Sequence, residues 1–378
     1  MPKRTSRVLL AAMLFALPAS AQDKPMLEPA DYAAAAVRNS AIPGGYEVRA
    51  VPELGVVFAA SVPDFKDGAP GDVYMLRQDD LSVIRRIQLQ RRPFALAMDH
   101  RRGWLYAGNT KDGSLTVIDA KSGLVLRRIQ LGQPGKDGKM EHTRMIEVDE
   151  ATGHVFVTGP TDEGIVWIVD GVAGKLLHRI DHVGIWAAGL AYDGAGKLYI
   201  GAGGAHEIIV LDAATGKTLT RFSTGDTPEG AGNDSAHFFV NLSLDVQRNR
   251  LFAVDSHSGQ LYVLDATSGT ELARLPIGKG ALDVEFNATL NKAYVTYYGI
   301  DQQNPVGWGG LVVIDAAEYV EERRLNIPTF PSNLSLDETA GALFMSVSEP
   351  SRPEHPDYRP DAMGAVLRLD LGALDALP

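Results

Sequence analysis

An aromatic landmark recurring seven times, a β-branched strand following it each time, and tight Asp/Gly turns between them predict an all-β chain. The architecture they define is a seven-bladed β-propeller of four-stranded antiparallel blades.

The landmark is VVF at Phe58, WLY at Tyr106, HVF at Phe156, KLY at Tyr199, RLF at Phe252, KAY at Tyr294 and ALF at Phe344, in steps of 42 to 53 residues. The second motif is VYMLR ending at Arg77, then LTVID (Asp119), VWIVD (Asp170), IIVLD (Asp212), LYVLD (Asp265), LVVID (Asp315) and VLRLD (Asp370). Both alternate in the manner of strands. The second motif runs into DAKSG, DGVAG, DAATG or DATSG. Asp opens such a turn with a side-chain-to-backbone hydrogen bond, and Gly takes the positive-φ position. One strand precedes each landmark, as in FALAMD or VNLSLD, and one follows each turn, as in ELARLPI. Each unit is therefore four strands, a to d, in up-and-down order. The last unit stops soon after its strand c. A strand from the N-terminus could complete it and remove a free edge, although the Ala-rich run from Pro29 to Arg38 reads as a short helix.

The organisation is then a leader over residues 1–21, an N-terminal segment over 22–44 and the propeller over 45–378. Lys3, Arg4 and Arg7 precede a short apolar run, Val8 to Leu17, and Ala19-Ser20-Ala21 offers a cleavage point before Gln22. The run is too short to span a bilayer, and no later stretch of 18 apolar residues occurs. An exported product with no membrane span is expected. There is no cysteine, which excludes disulfides, thiol nucleophiles and Cys metal ligands. Removing the leader takes three cations from 36 and leaves 33 against 47 acids, a balance of −14. Such a charge disfavours general binding to nucleic acid or anionic membranes.

AYVTY at Ala293 to Tyr297 is similar to the YVTN-type propeller repeat. HFFVNLSLD at His237 to Asp245, VIDAKSG at Val117 to Gly123 and PTFPSNLSLDETAGALFMSV at Pro328 to Val347 resemble the YncE-like proteins of the bacterial periplasm. The resemblance covers the chain from about Tyr46 onward. It implies a seven-bladed fold, a periplasmic location and single-stranded DNA as a partner, with no enzymatic role. The acidic charge weighs against the DNA activity here.

Loop lengths locate a site. From aromatic to the end of strand c, the shortest blades use 13 residues, whereas blade 1 uses 19, blade 6 uses 21 and blade 7 uses 26. From there to the next aromatic most blades use 29, but Asp119 to Phe156 is 37 and Asp212 to Phe252 is 40. The extra residues fall in b–c loops (Ser61 to Gly71, Tyr298 to Gly309, Ser348 to Gly364) and d–a loops (Gly132 to Thr143, Gly225 to Ala236). In an up-and-down blade these share one face, at the channel mouth, where binding residues usually sit. Aligning the blades puts Arg92, His142, Trp186, Phe238, Gly280 and Phe330 in a ring there, with Arg144, His237 and Trp308 beside it. Arg, His and aromatics suit a planar or anionic ligand. Equally, each aromatic could wedge between blades and each arginine could form a structural salt bridge.

Other chemistries find little support. The nine histidines show no HxH or HExxH spacing, and GxSxG is absent. A lactonase-type channel metal would draw on Glu141, Asp283 and Asn333, which are scattered. No cofactor is predicted. The leading expectation is a non-enzymatic binding or scaffold protein whose partner is a small ligand, a peptide or another envelope protein. Single-stranded DNA binding and a metal-dependent hydrolase are the alternatives.

Overall fold

A computed structural model describes residues 26–63, 69–135, 138–202, 206–226, 235–300, 306–350 and 353–377. The predicted leader, residues 1–21, lies outside the described residues. No described helix is long and apolar enough to cross a membrane.

Seven four-stranded antiparallel sheets form the seven blades. Six are sequential hairpins. The innermost strand a of blades 1 to 6 is Gly45–Val51, Pro93–Asp99, Ile146–Asp149, Ala187–Tyr192, Phe239–Asp245 and Ala281–Asn287. Blade 7 starts at Phe330–Asp337, continues through Ala342–Ser348 and Gly364–Asp370, and takes its outermost strand from the N-terminus. That strand, Ala36–Ile42, pairs Arg38 with Leu367 and Ile42 with Gly364. The segment expected to precede the propeller thus contributes a strand to it, and among the described residues 26–44 only Ala33–Ala35 is helical, as one 3-10 turn. Alanine favours a helix, but the unpaired edge of Gly364–Asp370 offers hydrogen bonds that so short a helix cannot match. Further upstream, Leu27 N–H donates to the Arg324 carbonyl and Leu27 accepts from Asn326 N–H, at 2.8 and 2.9 Å. The segment therefore runs from the outer edge of blade 6, across blade 7, into blade 1.

Strands b and c are buried along nearly their whole length, while strand d shows one face to water, as Val125–Gln130 does. The landmark aromatics Phe58, Tyr106, Phe156, Tyr199, Phe252, Tyr294 and Phe344 are all buried. Seven apolar clusters result, one between each pair of neighbouring blades. Burial of this kind contributes about 1.5–3 kcal/mol per large side chain, which a cysteine-free chain needs. The turns follow their chemistry: Asp119 Oδ1 accepts from Ser122 N–H at 2.7 Å, Asp265 Oδ1 from Ser268 N–H at 2.7 Å, and Gly123 and Gly269 sit at φ of 70° and 73°.

Candidate functional site

Strand register defines the channel wall. Opposite the strand-b aromatics lie Arg49, Ala97, Glu147, Ala191, Ser243, Glu285 and Ser335. Two residues before them, one level nearer the mouth, lie Glu47, Ala95, Met145, Gly189, Asn241, Asp283 and Asn333. The inner edge of each strand a has no further strand to pair with, so its N–H groups need other partners. Side chains of the preceding blade supply them. Glu47 Oε2 accepts from Leu96 N–H at 3.0 Å, Asp283 Oδ2 from Leu334 N–H at 2.6 Å and Asn333 Oδ1 from Val48 N–H at 2.8 Å. Ser335 Oγ accepts from Ala50 N–H and Ser243 Oγ from Phe286 N–H, at 3.0 and 3.1 Å. This polar clasp holds blades 5, 6, 7, 1 and 2 together. Between blades 4 and 5 the backbones approach directly: a Cβ on Gly189 would lie 2.1 Å from the Val240 carbonyl oxygen.

The wall carries four acids and two guanidinium groups. Glu47 is only 3% exposed and pairs with Arg144 at 3.2 Å. Burial pushes its carboxyl up to about 7 even with Arg144 and the Leu96 N–H opposing. Burial likewise raises Asp283, against hydrogen bonds from Leu334 N–H and Asn241. Deeper in, Glu147 is pushed up to about 7 and Glu285 to about 8 by desolvation, each partly relieved by Arg49. Arg49, Glu147 and Glu285 belong to blades 1, 3 and 6, so they sense one another across the channel itself. They keep some contact with solvent but are ringed by protein on every side, which is what disfavours their charge.

The predicted mouth residues fall into distinct environments. Arg144 stacks over Phe94, 4.4 Å from its ring centre, besides pairing with Glu47. Its fork is thus engaged within the protein. Arg92 is buried, and its carbonyl accepts from Thr110 N–H at 3.2 Å. His142 is half-buried. His237 is 4% exposed and clamped between two carboxylates, with Nδ1 2.7 Å from Asp255 Oδ2 and Nε2 2.8 Å from Asp226 Oδ1. The Asp255 bond raises its pKa against burial, with help from Asp226. Asp255 is held below its usual range because bonds from His237, Ser258 and Phe238 N–H outweigh burial. Phe238 packs on the cluster between blades 5 and 6.

Four rings from blades 6 and 7, those of Tyr298, Trp308, Phe330 and His355, come together instead. Phe330 lies 5.6 Å from Tyr298 and 5.5 Å from His355, and the His355 ring meets Trp308 edge-on at 5.0 Å. His355 Nε2 lies 3.0 Å from the Gly307 carbonyl, fastening the blade 7 loop to the blade 6 loop. Trp308 stays 39% exposed. Trp186, 46% exposed on the blade 4 side, makes no ring contact with this group among the described residues. Its φ of 55° is left-handed, an unfavourable state for a bulky residue. The bond from Trp186 N–H to the Thr161 carbonyl, 2.9 Å, holds it there.

Two features escaped the sequence reading. Glu47, Glu147 and Glu285 interrupt apolar strands, in YEV, IEV and VEF; aligning the blades on the landmark aromatics puts Glu147 and Glu285 at one level, nine residues before Phe156 and Tyr294, and Glu47 one level nearer the mouth, eleven before Phe58. His355 gave no signal, because its role depends on a neighbouring loop. Of the residues considered for a channel metal, Asp283 and Asn333 meet at 2.9 Å, but Glu141 is taken by a bidentate pair to Arg179 at 2.6 and 2.7 Å. Among the described residues no three His, Asp or Glu side chains are placed to hold a metal ion.

Comparison with known proteins agrees with this architecture. Residues 151–274 match the family described as outer membrane protein assembly factor BamB. The crystal structure of the RRP9 WD40 repeats superimposes with a TM-score of 0.67 at 10% identity, over 89% of this chain and 97% of that one. The likeness is one of fold alone. The YncE proteins of Salmonella typhimurium and Escherichia coli K12 are each 30% identical over 327 residues, covering 86% of this chain and 88% of theirs. With that identity over nearly the full propeller, the chain belongs to the YncE family.

Proposed function

We propose that the protein is an exported, periplasmic binding or scaffold protein, not an enzyme, and that it engages another envelope protein through its loop-bearing face. The observation that carries this reading is the pair of exposed tryptophans there. Trp308 is braced edge-on by the buried His355, and Trp186 is held in an unfavourable backbone state. Exposed, pre-positioned tryptophans are typical anchors of protein interfaces. The charged groups at the mouth serve the fold: Arg144 answers Glu47, and His237 answers Asp226 and Asp255. The partial match to an outer membrane protein assembly factor supports a protein partner in the envelope.

The test is site-specific photo-crosslinking in intact cells. A photoreactive residue replacing Trp308 should form a discrete adduct. One replacing Lys121, on the opposite face, should not, and Trp186→Ala should weaken the Trp308 adduct. Equal labelling from both faces, or none from Trp308, refutes the reading. Fractionation and N-terminal sequencing check the location: a periplasmic product should begin at Gln22.

A further inference from the structure

The N-terminal strap and the blade 7 loop enclose a cleft of about 590 Å³ that the channel-mouth reading does not use. Its size is that of a small-molecule or short-peptide site. Tyr32 and Pro328 contribute apolar wall, and Tyr358 stands on the loop side. Its charged groups are Arg38, Arg359, Glu349 and Asp357, two of each sign.

These charges are not equivalent. Arg38 is fully placed: Nε donates to Ser40 Oγ at 3.1 Å, Nη1 to the Pro328 carbonyl at 2.9 Å, and Nη2 lies 3.5 Å from Glu349. Glu349, 9% exposed, is the acid that answers it. Arg359 touches the same carboxylate at only 3.4 Å and is 71% exposed. Both contacts to Glu349 are longer than the 2.7–2.9 Å of a strong charge-assisted bond, but Arg38 is also fixed by Ser40 and the Pro328 carbonyl, whereas the Arg359 guanidinium faces solvent and can take another anion. Asp357 has its N–H tied to His355 Nδ1 at 3.1 Å, which fixes its backbone at the rim. Its half-buried carboxylate makes no ion pair among the described residues.

From this we infer that the cleft binds the free termini of a short apolar peptide: Arg359 takes the carboxylate, Asp357 the ammonium group, and the proline–tyrosine wall the side chains. The balanced charge selects a zwitterion. A polyanion would meet Glu349 and Asp357, and a polycation would meet both arginines. The inference rests on the reading that this face binds polypeptide, and it names the ligand class for one part of that face.

Isothermal titration calorimetry with the dipeptide leucyl-phenylalanine tests it. The wild type should bind the free dipeptide, and N-acetylation or C-amidation should each weaken binding on the order of tenfold, the worth of one charge-assisted bond. Arg359→Ala should weaken the free dipeptide and erase the penalty for amidation alone. Asp357→Asn should erase the penalty for acetylation alone. Trp186 makes no ring contact with the His355 group among the described residues, so Trp186→Ala should leave all of this unchanged, and failure here is distinct from failure of the mouth as a protein interface. Arg359 and Asp357 sit at the surface, and both variants should melt as the wild type does. Equal binding of blocked and free dipeptides, no binding by the wild type at millimolar concentration, or unaltered penalties in the variants would each overturn the inference.

Discussion

Arg144→Ala offers the sharpest test of how the channel is held. Arg144 is the cation paired with Glu47, a carboxylate 3% exposed whose pKa already stands at about 7. Removing the guanidinium raises it further. A carboxyl whose folded pKa lies above its unfolded value loses stability as pH rises between the two, because ionising it in the fold costs more than in the open chain. The cost of the substitution must therefore depend on pH. At pH 5.5 Glu47 is largely protonated with or without Arg144, and the loss is packing plus the stack on Phe94, about 1–2 kcal/mol. At pH 8 the wild type keeps an ion pair while the variant must bury a lone carboxylate or hold a proton against the solvent, at about 3–5 kcal/mol. Urea unfolding of both proteins at the two pH values, at constant ionic strength, measures the difference. Adding Glu47→Gln to Arg144→Ala should recover much of the loss at pH 8, since an amide can still accept from Leu96 N–H. A destabilisation equal at both pH values would refute the argument, as would a double variant no better than the single one.

Further outcomes follow from the same groups. Glu147 and Glu285 are raised to about 7 and 8, so their contribution is complete below about pH 4.5 and is lost as pH rises toward 8; His237, also raised, loses its contribution in the same direction. The urea midpoint should accordingly be higher at pH 5.5 than at pH 8, and Glu285→Gln should gain about 1–3 kcal/mol at pH 8, allowing for water in the channel; a midpoint that climbs with pH contradicts this. His237→Ala leaves Asp255 buried without its partner and should cost about 3–5 kcal/mol by thermal or urea melting; a loss under about 1 kcal/mol would show the clamp to be idle. Deleting residues 22–43 strips the outer strand from blade 7 and the buried Tyr32 and Ile42 from their clusters. It should cost more than about 5 kcal/mol and promote aggregation in size-exclusion chromatography, with partial rescue by the same segment added as a peptide.

The sequence by itself determined the repeat. Phe58, Tyr106 and their counterparts are buried wherever they occur, and the Asp-x-x-x-Gly turns close as their chemistry requires, because the strand pattern and the turn chemistry are both written in short local stretches that every blade repeats. The crowding of long loops onto one face was legible for the same reason, since it follows from loop length and the up-and-down order alone. Ring closure was not. Ala36–Ile42 has no local reason to be a strand and becomes one because Gly364–Asp370, more than three hundred residues away, leaves an edge to be covered. Nor could the roles of the polar residues be read in advance. Arg144 and His237 look like ligand-binding groups until Glu47 and Asp255 arrive beside them from elsewhere in the chain. Trp308 stands out in the sequence as an aromatic in a long loop, but that His355 braces it shows only in the fold. A side chain's type and spacing fix what it can offer. Which groups answer it, and whether anything remains for a partner, is decided only when the blades close and bring distant residues into the same few ångströms.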